Sequence, residues 1–129
     1  MRQFFNLRSA LLATSIVFTA ASALAAGEHS HQPKFGGVVV ETKAGDIEIV
    51  AKPDNIQIYI TDHGKAIKLD GAKAKVTLLN GKEKSEATLV SIGDKLEAKG
   101  AFKVAKGTKG IALVTLAGKP PFTARFDIK

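Results

Sequence analysis

Residues 56–65 read IQIYITDHGK, and this stretch decides the fold because it joins a strand pattern to a turn. Ile56, Ile58 and Ile60 alternate with polar or aromatic residues, so one face of the segment is apolar. In residues 62–65 (DHGK) the aspartate can cap the backbone and the glycine can adopt a positive φ, as turns require. The stretch therefore predicts a half-buried β-strand that ends in a tight turn.

The same alternation of short segments and turns continues on both sides of this stretch. Turn residues recur at intervals of roughly 8–12 residues, which is typical of short strands in a sandwich or barrel. Residues 122–129 alternate with period two, and residues 111–116 are almost continuously apolar, as a central strand would be. Asn80-Gly81 is a strong hairpin signal, and it predicts that residues 75–79 pair with residues 85–91.

These patterns predict an all-β domain. No segment after the first 25 residues carries a helical stripe, and the connections are too short for the crossover helices that parallel strands need. We therefore expect a single antiparallel, immunoglobulin-like β-sandwich of seven or eight strands. A small barrel is the alternative architecture.

The beginning of the chain has the organisation of a secretory signal peptide. Arg2 and Arg8 lead into an apolar segment at 11–23, and residues 23–25 (ALA) offer small side chains at the cleavage position. The apolar segment is shorter than the ~20 residues that a bilayer crossing takes, so an integral membrane protein is not expected. We predict a signal peptide at 1–25, a flexible histidine-containing tail at 26–35, a sandwich domain at 36–129 and a periplasmic location.

Composition excludes several classes of function. The chain has 129 residues, a formal net charge of +7 and no cysteine, which removes thiolate catalysis and thiolate metal sites. Its lysines are dispersed, as in a solvated surface that protects sheet edges, although attraction to anionic envelope polymers or lipid head groups is an alternative. One tyrosine and no tryptophan give little surface for stacking bases, so nucleic acid is not an expected partner. No nucleophile frame or phosphate-binding glycine motif is present, and we predict that the protein is not an enzyme.

The best candidates for metal binding are the two histidines of the predicted tail. His29 and His31 are one residue apart, and imidazole pairs suit Cu(II), Ni(II) or Zn(II). Glu28 can add an oxygen ligand, and His63 can join if its turn lies near the tail. The alternative is that the tail is a solvated spacer and that His63 belongs only to a turn.

The position of signal cleavage changes the chemistry of this tail. Cleavage after Ala25 follows the small-x-small rule and makes His29 the fourth residue. Cleavage after Ala26 would leave Gly27-Glu28-His29 at the new terminus. The terminal amine, two deprotonated amides and the imidazole would then form a square of nitrogens, a geometry that Cu(II) and Ni(II) favour.

Six short motifs are spread over the body of the chain: GGVVVE at 36–41, EIVAKPD at 48–54, IYITDHGK at 58–65, VTLLNG at 76–81, LVTLAGKP at 113–120 and ARF at 124–126. In these motifs the chain resembles a family of small exported bacterial proteins that are similar to domains found with heavy-metal efflux systems. The resemblance implies a periplasmic β domain with a role in metal handling. Members often have His-Gly-Gly where this chain has Phe35-Gly36-Gly37, so the resemblance implies that one histidine ligand is missing here.

Two functions follow as expectations. The first is a periplasmic accessory protein that binds or buffers a divalent transition metal through its N-terminal histidines, with an envelope efflux component as a possible partner. The second is an interaction module that binds no metal and docks through the basic surface of the β domain onto an envelope protein or polymer.

Overall fold

The computed structural model describes residues 32–129, and these residues form nine β-strands and no helix. The predicted signal peptide and most of the predicted tail, including Glu28, His29 and His31, lie outside the described residues. The strands are Val38–Thr42 (β1), Gly45–Lys52 (β2), Asn55–Asp62 (β3), Lys65–Ala66 (β4), Lys73–Asn80 (β5), Glu83–Ile92 (β6), Lys95–Lys99 (β7), Lys109–Thr115 (β8) and Phe122–Asp127 (β9). The all-β prediction is confirmed, with one more strand than the seven or eight expected. Within residues 32–129 there is accordingly no helix of the length and apolarity that crossing a bilayer requires.

The strands form one continuous antiparallel sheet. Its order is β1-β2-β3-β7-β6-β5-β8-β9, and the short β4 pairs with β3 beside this path. The two end strands, β1 and β9, come into contact, so the sheet curls almost into a barrel. The antiparallel pairing is confirmed, but the two separate sheets of an immunoglobulin-like sandwich are not, because every strand belongs to the same hydrogen-bonded sheet. The arrangement is closer to the small barrel that the sequence left as the alternative.

The core fills the inside of this curled sheet. As predicted, Ile56, Ile58 and Ile60 of β3 are fully buried, and Ala124 and Phe126 of β9 also point inward. Apolar side chains from β2, β5, β6, β7 and β8 complete one hydrophobic cluster. Because successive side chains of a strand point to opposite faces, the same alternation leaves a second, outward face along each strand.

Two hairpins show how local sequence sets the turns. His63 and Gly64 both have positive φ, 49° and 78°, between the paired ends of β3 and β4. This pattern requires αL-tolerant residues at both central positions, as in a type I′ turn. The predicted β5–β6 hairpin is confirmed, but its centre is Gly81-Lys82, since Asn80 pairs with Glu83 and only Gly81 has positive φ.

The apolar segment at 111–116 forms a strand with one buried face. β8 is the next-to-last strand in the order of the sheet and pairs with β5 and β9, yet only alternate side chains of it are buried. Ala112 and Val114 point into the core, whereas Ile111 and Leu113 point outward and are 36% and 41% exposed. A continuous apolar sequence predicts burial on both faces only where something covers the outer face, and nothing among the described residues covers this one.

Candidate functional site

A groove lies on the outer side of β1, β2 and β3. It has a volume of about 510 Å³ and is open to solvent along one side. Neighbouring strands bring its residues together through their register, because Asp46 lies across from Glu41 on one side and Thr61 on the other, while Glu48 lies across from Tyr59. The residues around the groove include Gln32, Lys34, Phe35, Val39, Glu41, Asp46, Glu48, Tyr59, Thr61 and His63.

Glu48 is a buried carboxylate on the outer face of the sheet, only 7% exposed. Its two oxygens accept hydrogen bonds from the backbone N–H of Phe35, at 2.8 and 3.0 Å, and Oε2 also accepts one from the N–H of Lys34 at 3.2 Å. Hydrogen bonds to an ionised acceptor are stronger than neutral ones, so this carboxylate anchors the chain that precedes β1.

An aromatic pair strengthens this anchor. The ring of Phe35 stacks on that of Tyr59, with centroids 3.8 Å apart and planes inclined by 13°. Phe35 remains 51% exposed, so its outer face is open while its inner face covers the strand. Gly37 extends the same cover, since a Cβ there would lie 2.9 Å from Cγ2 of Val50. We call residues 32–37, which lie along the outer side of β2 and β3, the N-terminal strap.

The far end of the groove carries ionisable side chains. Glu41 and Asp46 are directly opposite each other on β1 and β2. His63, at the β3–β4 turn, lies on the rim with its side chain 83% exposed, and its Nε2 is 3.5 Å from Oδ1 of Asp62. The groove therefore combines carboxylate oxygens and one imidazole, which are ligand types for divalent cations.

The structure answers the sequence predictions for this site only in part. His63 occupies the predicted turn and also borders the groove, whereas Glu28, His29 and His31 lie outside the described residues. Within residues 32–129, no group of three or more histidine or acidic side chains is close enough to hold a metal ion. The described residues alone therefore do not form a metal centre.

Sequence reasoning missed the acidic residues of the groove. Asp46 and Glu48 alternate with Ile47 and Ile49, so the period-two pattern was enough to place both carboxylates on the outer face of β2. It could not show that Glu48 is buried, because the strap that covers it is separated from it by 13 or 14 residues in the chain.

A second buried carboxylate, Glu97 on β7, belongs to a separate network. The Gln57 side-chain amide donates to Oε2 of Glu97 at 2.8 Å, and Nζ of Lys95 lies 3.1 Å from the same oxygen. The Gln57 hydrogen bond and the Lys95 ammonium hold the pKa of the Glu97 carboxyl below its ordinary value, and the Glu97 carboxylate raises the pKa of Lys95. Gln57 also accepts a hydrogen bond from the hydroxyl of Tyr59, so this network supports one side of the groove.

No protein-family model, no curated protein and no solved structure matches this chain. The function is therefore proposed from the sequence and from the geometry of the described residues. The resemblance to exported proteins near metal-efflux systems stays a prediction of the sequence.

Proposed function

We propose that the protein is an exported accessory protein that binds or buffers a divalent transition metal ion through His29 and His31. In this proposal the groove on β1–β3 is the place where these histidines meet further ligands. The observation that carries the proposal is the docking of the strap, in which Glu48 and Tyr59 hold Lys34 and Phe35. A predicted location in the periplasm, after removal of residues 1–25, belongs to the same proposal.

Chain connectivity supports this assignment. Gln32 borders the groove, and His31 is the residue before it. His29 is three positions before Gln32 in the sequence. Because consecutive Cα atoms are about 3.8 Å apart, this short connection supports the proposal that the two histidines use ligands from the groove.

The groove supplies what two histidines lack. Tight sites for Zn(II) and Cu(II) use about four ligands, so His29 and His31 need partners. Asp46 and Glu41, which face each other, offer oxygens, and His63 on the rim offers a third imidazole as an alternative partner. Among the described residues these three do not form a site by themselves, so each would act only together with the tail histidines. Glu28 remains a candidate oxygen ligand from the tail. The metal is Cu(II), Ni(II) or Zn(II), since the set of nitrogen and oxygen ligands suits all three.

A titration of the purified protein with Cu(II), Ni(II) and Zn(II) tests the proposal. We expect saturable binding that the double variant His29→Ala/His31→Ala weakens about 100-fold or more. His63→Ala should weaken binding by about tenfold, as loss of a supporting ligand does. Ser30→Ala, between the two histidines, is the matched control and should bind like the unchanged protein. Equal affinity of the unchanged protein and the double variant would reject the proposal.

The two cleavage positions predict different responses. If the terminal Gly27-Glu28-His29 motif holds copper by itself, His29→Ala abolishes binding, whereas His31→Ala and His63→Ala change nothing. If the groove takes part, all three variants weaken binding. The intact mass of the exported protein, with and without Cu(II), gives both the cleavage position and the stoichiometry.

A further inference from the structure

The outward side of β5, β6 and β8 presents exposed aliphatic side chains, each of which lies across from a cation. Five strand residues are of this kind, and all five have a lysine or arginine directly opposite in the register of the sheet. The pairs are Leu79 with Lys84 and Lys109, Val90 with Lys73, Ile92 with Lys95, Ile111 with Arg125, and Leu113 with Lys75; on its other side Val90 lies across from the buried Glu97. Exposed aliphatic side chains on an outward strand face indicate an interaction surface. Because each of them lies across from a cation, the surface suits a partner that has both apolar and anionic groups.

Three of these aliphatic residues are neighbours. Ile111 and Leu113 are two residues apart on β8, and Leu79 lies diagonally across from Ile111 on β5. Lys75, Lys109 and Arg125 surround them, and all three are exposed. We call these six residues the basic-aliphatic face.

Charge is distributed unevenly between the two parts of the chain. Residues 32–62, which form β1–β3, hold three lysines and five side-chain carboxylates. Residues 63–129 hold thirteen lysines and one arginine against six side-chain carboxylates. Glu86 is the one carboxylate that β5, β6 and β8 direct outward, and it pairs with Lys84 at 3.2 Å and Lys75 at 3.6 Å. The basic-aliphatic face therefore attracts anions, whereas the groove carries the opposite charge.

We propose that the basic-aliphatic face docks on an anionic phospholipid surface. Lysine and arginine near such a surface are attracted by the charged head groups, and aliphatic side chains gain by entering the boundary between head groups and acyl chains. The long stems of the cations lie along apolar surface while their charged ends reach the head groups. This role goes beyond the proposed metal binding and does not depend on it.

The aliphatic residues favour lipid over a soluble polyanion. A polysaccharide or an acidic polymer would satisfy the cations and leave Leu79, Ile111 and Leu113 in water. A membrane surface satisfies both components, because it offers anionic groups with apolar chains directly beneath them.

The topology keeps the two functional surfaces apart. Counting along the nearly closed sheet, β5 is four strands from β2 in either direction, so the two strands lie on opposite walls. A protein that rests on lipid through β5 and β8 thus turns the groove on β1–β3 away from the membrane. Docking and metal binding can take place together.

Cosedimentation with phosphatidylcholine vesicles, with and without phosphatidylglycerol, tests this inference. We expect binding only to vesicles that contain phosphatidylglycerol. The variant Lys75→Gln/Lys109→Gln/Arg125→Gln should reduce it about 100-fold at low salt. The matched control Lys43→Gln/Lys52→Gln/Lys65→Gln removes the same charge from the β1–β4 part and should stay within about threefold of the unchanged protein.

The aliphatic contribution is tested by Ile111→Thr/Leu113→Thr, which retains residues suited to a strand. This variant should bind anionic vesicles about tenfold less and bind dextran sulfate like the unchanged protein. Leu113→Trp is a second measurement, because the chain has no tryptophan and its emission should shift to shorter wavelength on anionic vesicles.

The inference is overturned if the unchanged protein does not bind anionic vesicles, or if the control triple variant loses as much binding as the test variant. It is also overturned if tryptophan emission at position 113 does not respond to vesicles. If the Ile111→Thr/Leu113→Thr variant binds both dextran sulfate and anionic vesicles as well as the unchanged protein does, the face would be assigned to a soluble polyanion. Self-association that these substitutions abolish without lipid would assign it to a second copy of the chain.

Discussion

The outer faces of β2 and β8 differ in burial, although each of the two strands pairs with a neighbouring strand on both sides. Glu48 and Val50 point outward from β2 and are buried, because the N-terminal strap lies over them. Ile111 and Leu113 point outward from β8 and are exposed. The more polar pair is thus covered and the more apolar pair is open. Strand periodicity assigns side chains to faces, but a distant segment decides which outer face is covered.

The largest expected change in the free energy of unfolding distinguishes a substitution on the inner face of the sheet from one on an outer face. Ile58→Ala removes a fully buried side chain from β3 and should lower the free energy of unfolding by about 3 kcal/mol, through lost transfer energy and the remaining cavity. Leu113→Ala on the open outer face should cost less than about 0.5 kcal/mol. Urea denaturation of both variants measures the difference, and similar losses would contradict the assignment of Leu113 to an uncovered face.

The next largest change in stability should distinguish the buried carboxylate of Glu48 from the exposed carboxylate of Glu86. Glu48→Ala leaves the backbone N–H groups of Lys34 and Phe35 without their acceptor and should cost about 2 kcal/mol. Glu86→Ala removes an exposed, salt-bridged carboxylate and should lower the denaturation midpoint only slightly, far less than Glu48→Ala does.

Glu48→Gln is the matched control for charge, since it retains one acceptor oxygen and should lie between the unchanged protein and Glu48→Ala. A Glu48→Ala variant as stable as the Glu86→Ala variant would show that the strap contributes nothing to stability.

Sequence patterns predicted the strands well because alternation is a local property. The isoleucines of β3 and the inward residues of β9 were placed correctly, and so was the hairpin around Gly81. The one-residue shift of that turn to Gly81-Lys82 arose because glycine alone supplies the positive φ there. Strand order was beyond prediction: β7 pairs with β6, which directly precedes it in the chain, but it also pairs with β3, which is distant in sequence.

The site was less predictable than the fold. His63 could be assigned to a turn from its neighbours, but its place on the rim of the groove depends on the register of three strands. The aromatic stack of Phe35 on Tyr59 joins residues 24 positions apart, and no local pattern marks such a pair. The exposure of the outer side of β8 was not predicted for the same reason, because burial of an outer face depends on non-local cover.

A smaller effect should measure how tightly the strap is held. Phe35→Ala removes the ring stacked on Tyr59 and should cost about 1 kcal/mol. Tyr59 is the sole tyrosine of the chain, so near-ultraviolet circular dichroism at tyrosine wavelengths reports this contact directly. The signal should fall in Phe35→Ala and in Glu48→Ala and stay unchanged in Leu113→Ala. A signal unaffected by Phe35→Ala would place the two rings apart in solution.

The smallest expected effect is the pH dependence of the stability that Glu97 and Glu86 contribute. In the folded protein, hydrogen bonds from Gln57 and Lys95 to Glu97, and from Lys84 to Glu86, hold both pKa values below the ordinary value. A depressed carboxyl pKa contributes stability above the unfolded pKa of about 4.3, and this contribution is lost as the pH falls through the lower folded value. The stability that Glu97→Gln or Glu86→Gln removes at pH 7 should therefore shrink as the medium is acidified below that range.

Salt distinguishes the two carboxylates. Glu97 is only 7% exposed and Glu86 is 46% exposed, so mobile ions screen the partners of Glu86 more effectively. Urea denaturation from about pH 7 to pH 3 measures how the free energy of unfolding of each variant differs from that of the unchanged protein. At 1 M salt the pH dependence of this difference should disappear for Glu86→Gln and persist for Glu97→Gln. If salt removed both differences equally, the Gln57–Glu97–Lys95 network would be as accessible to solvent as the open face. The contrast between covered and uncovered outer surfaces would then be limited to the strap and the groove it borders.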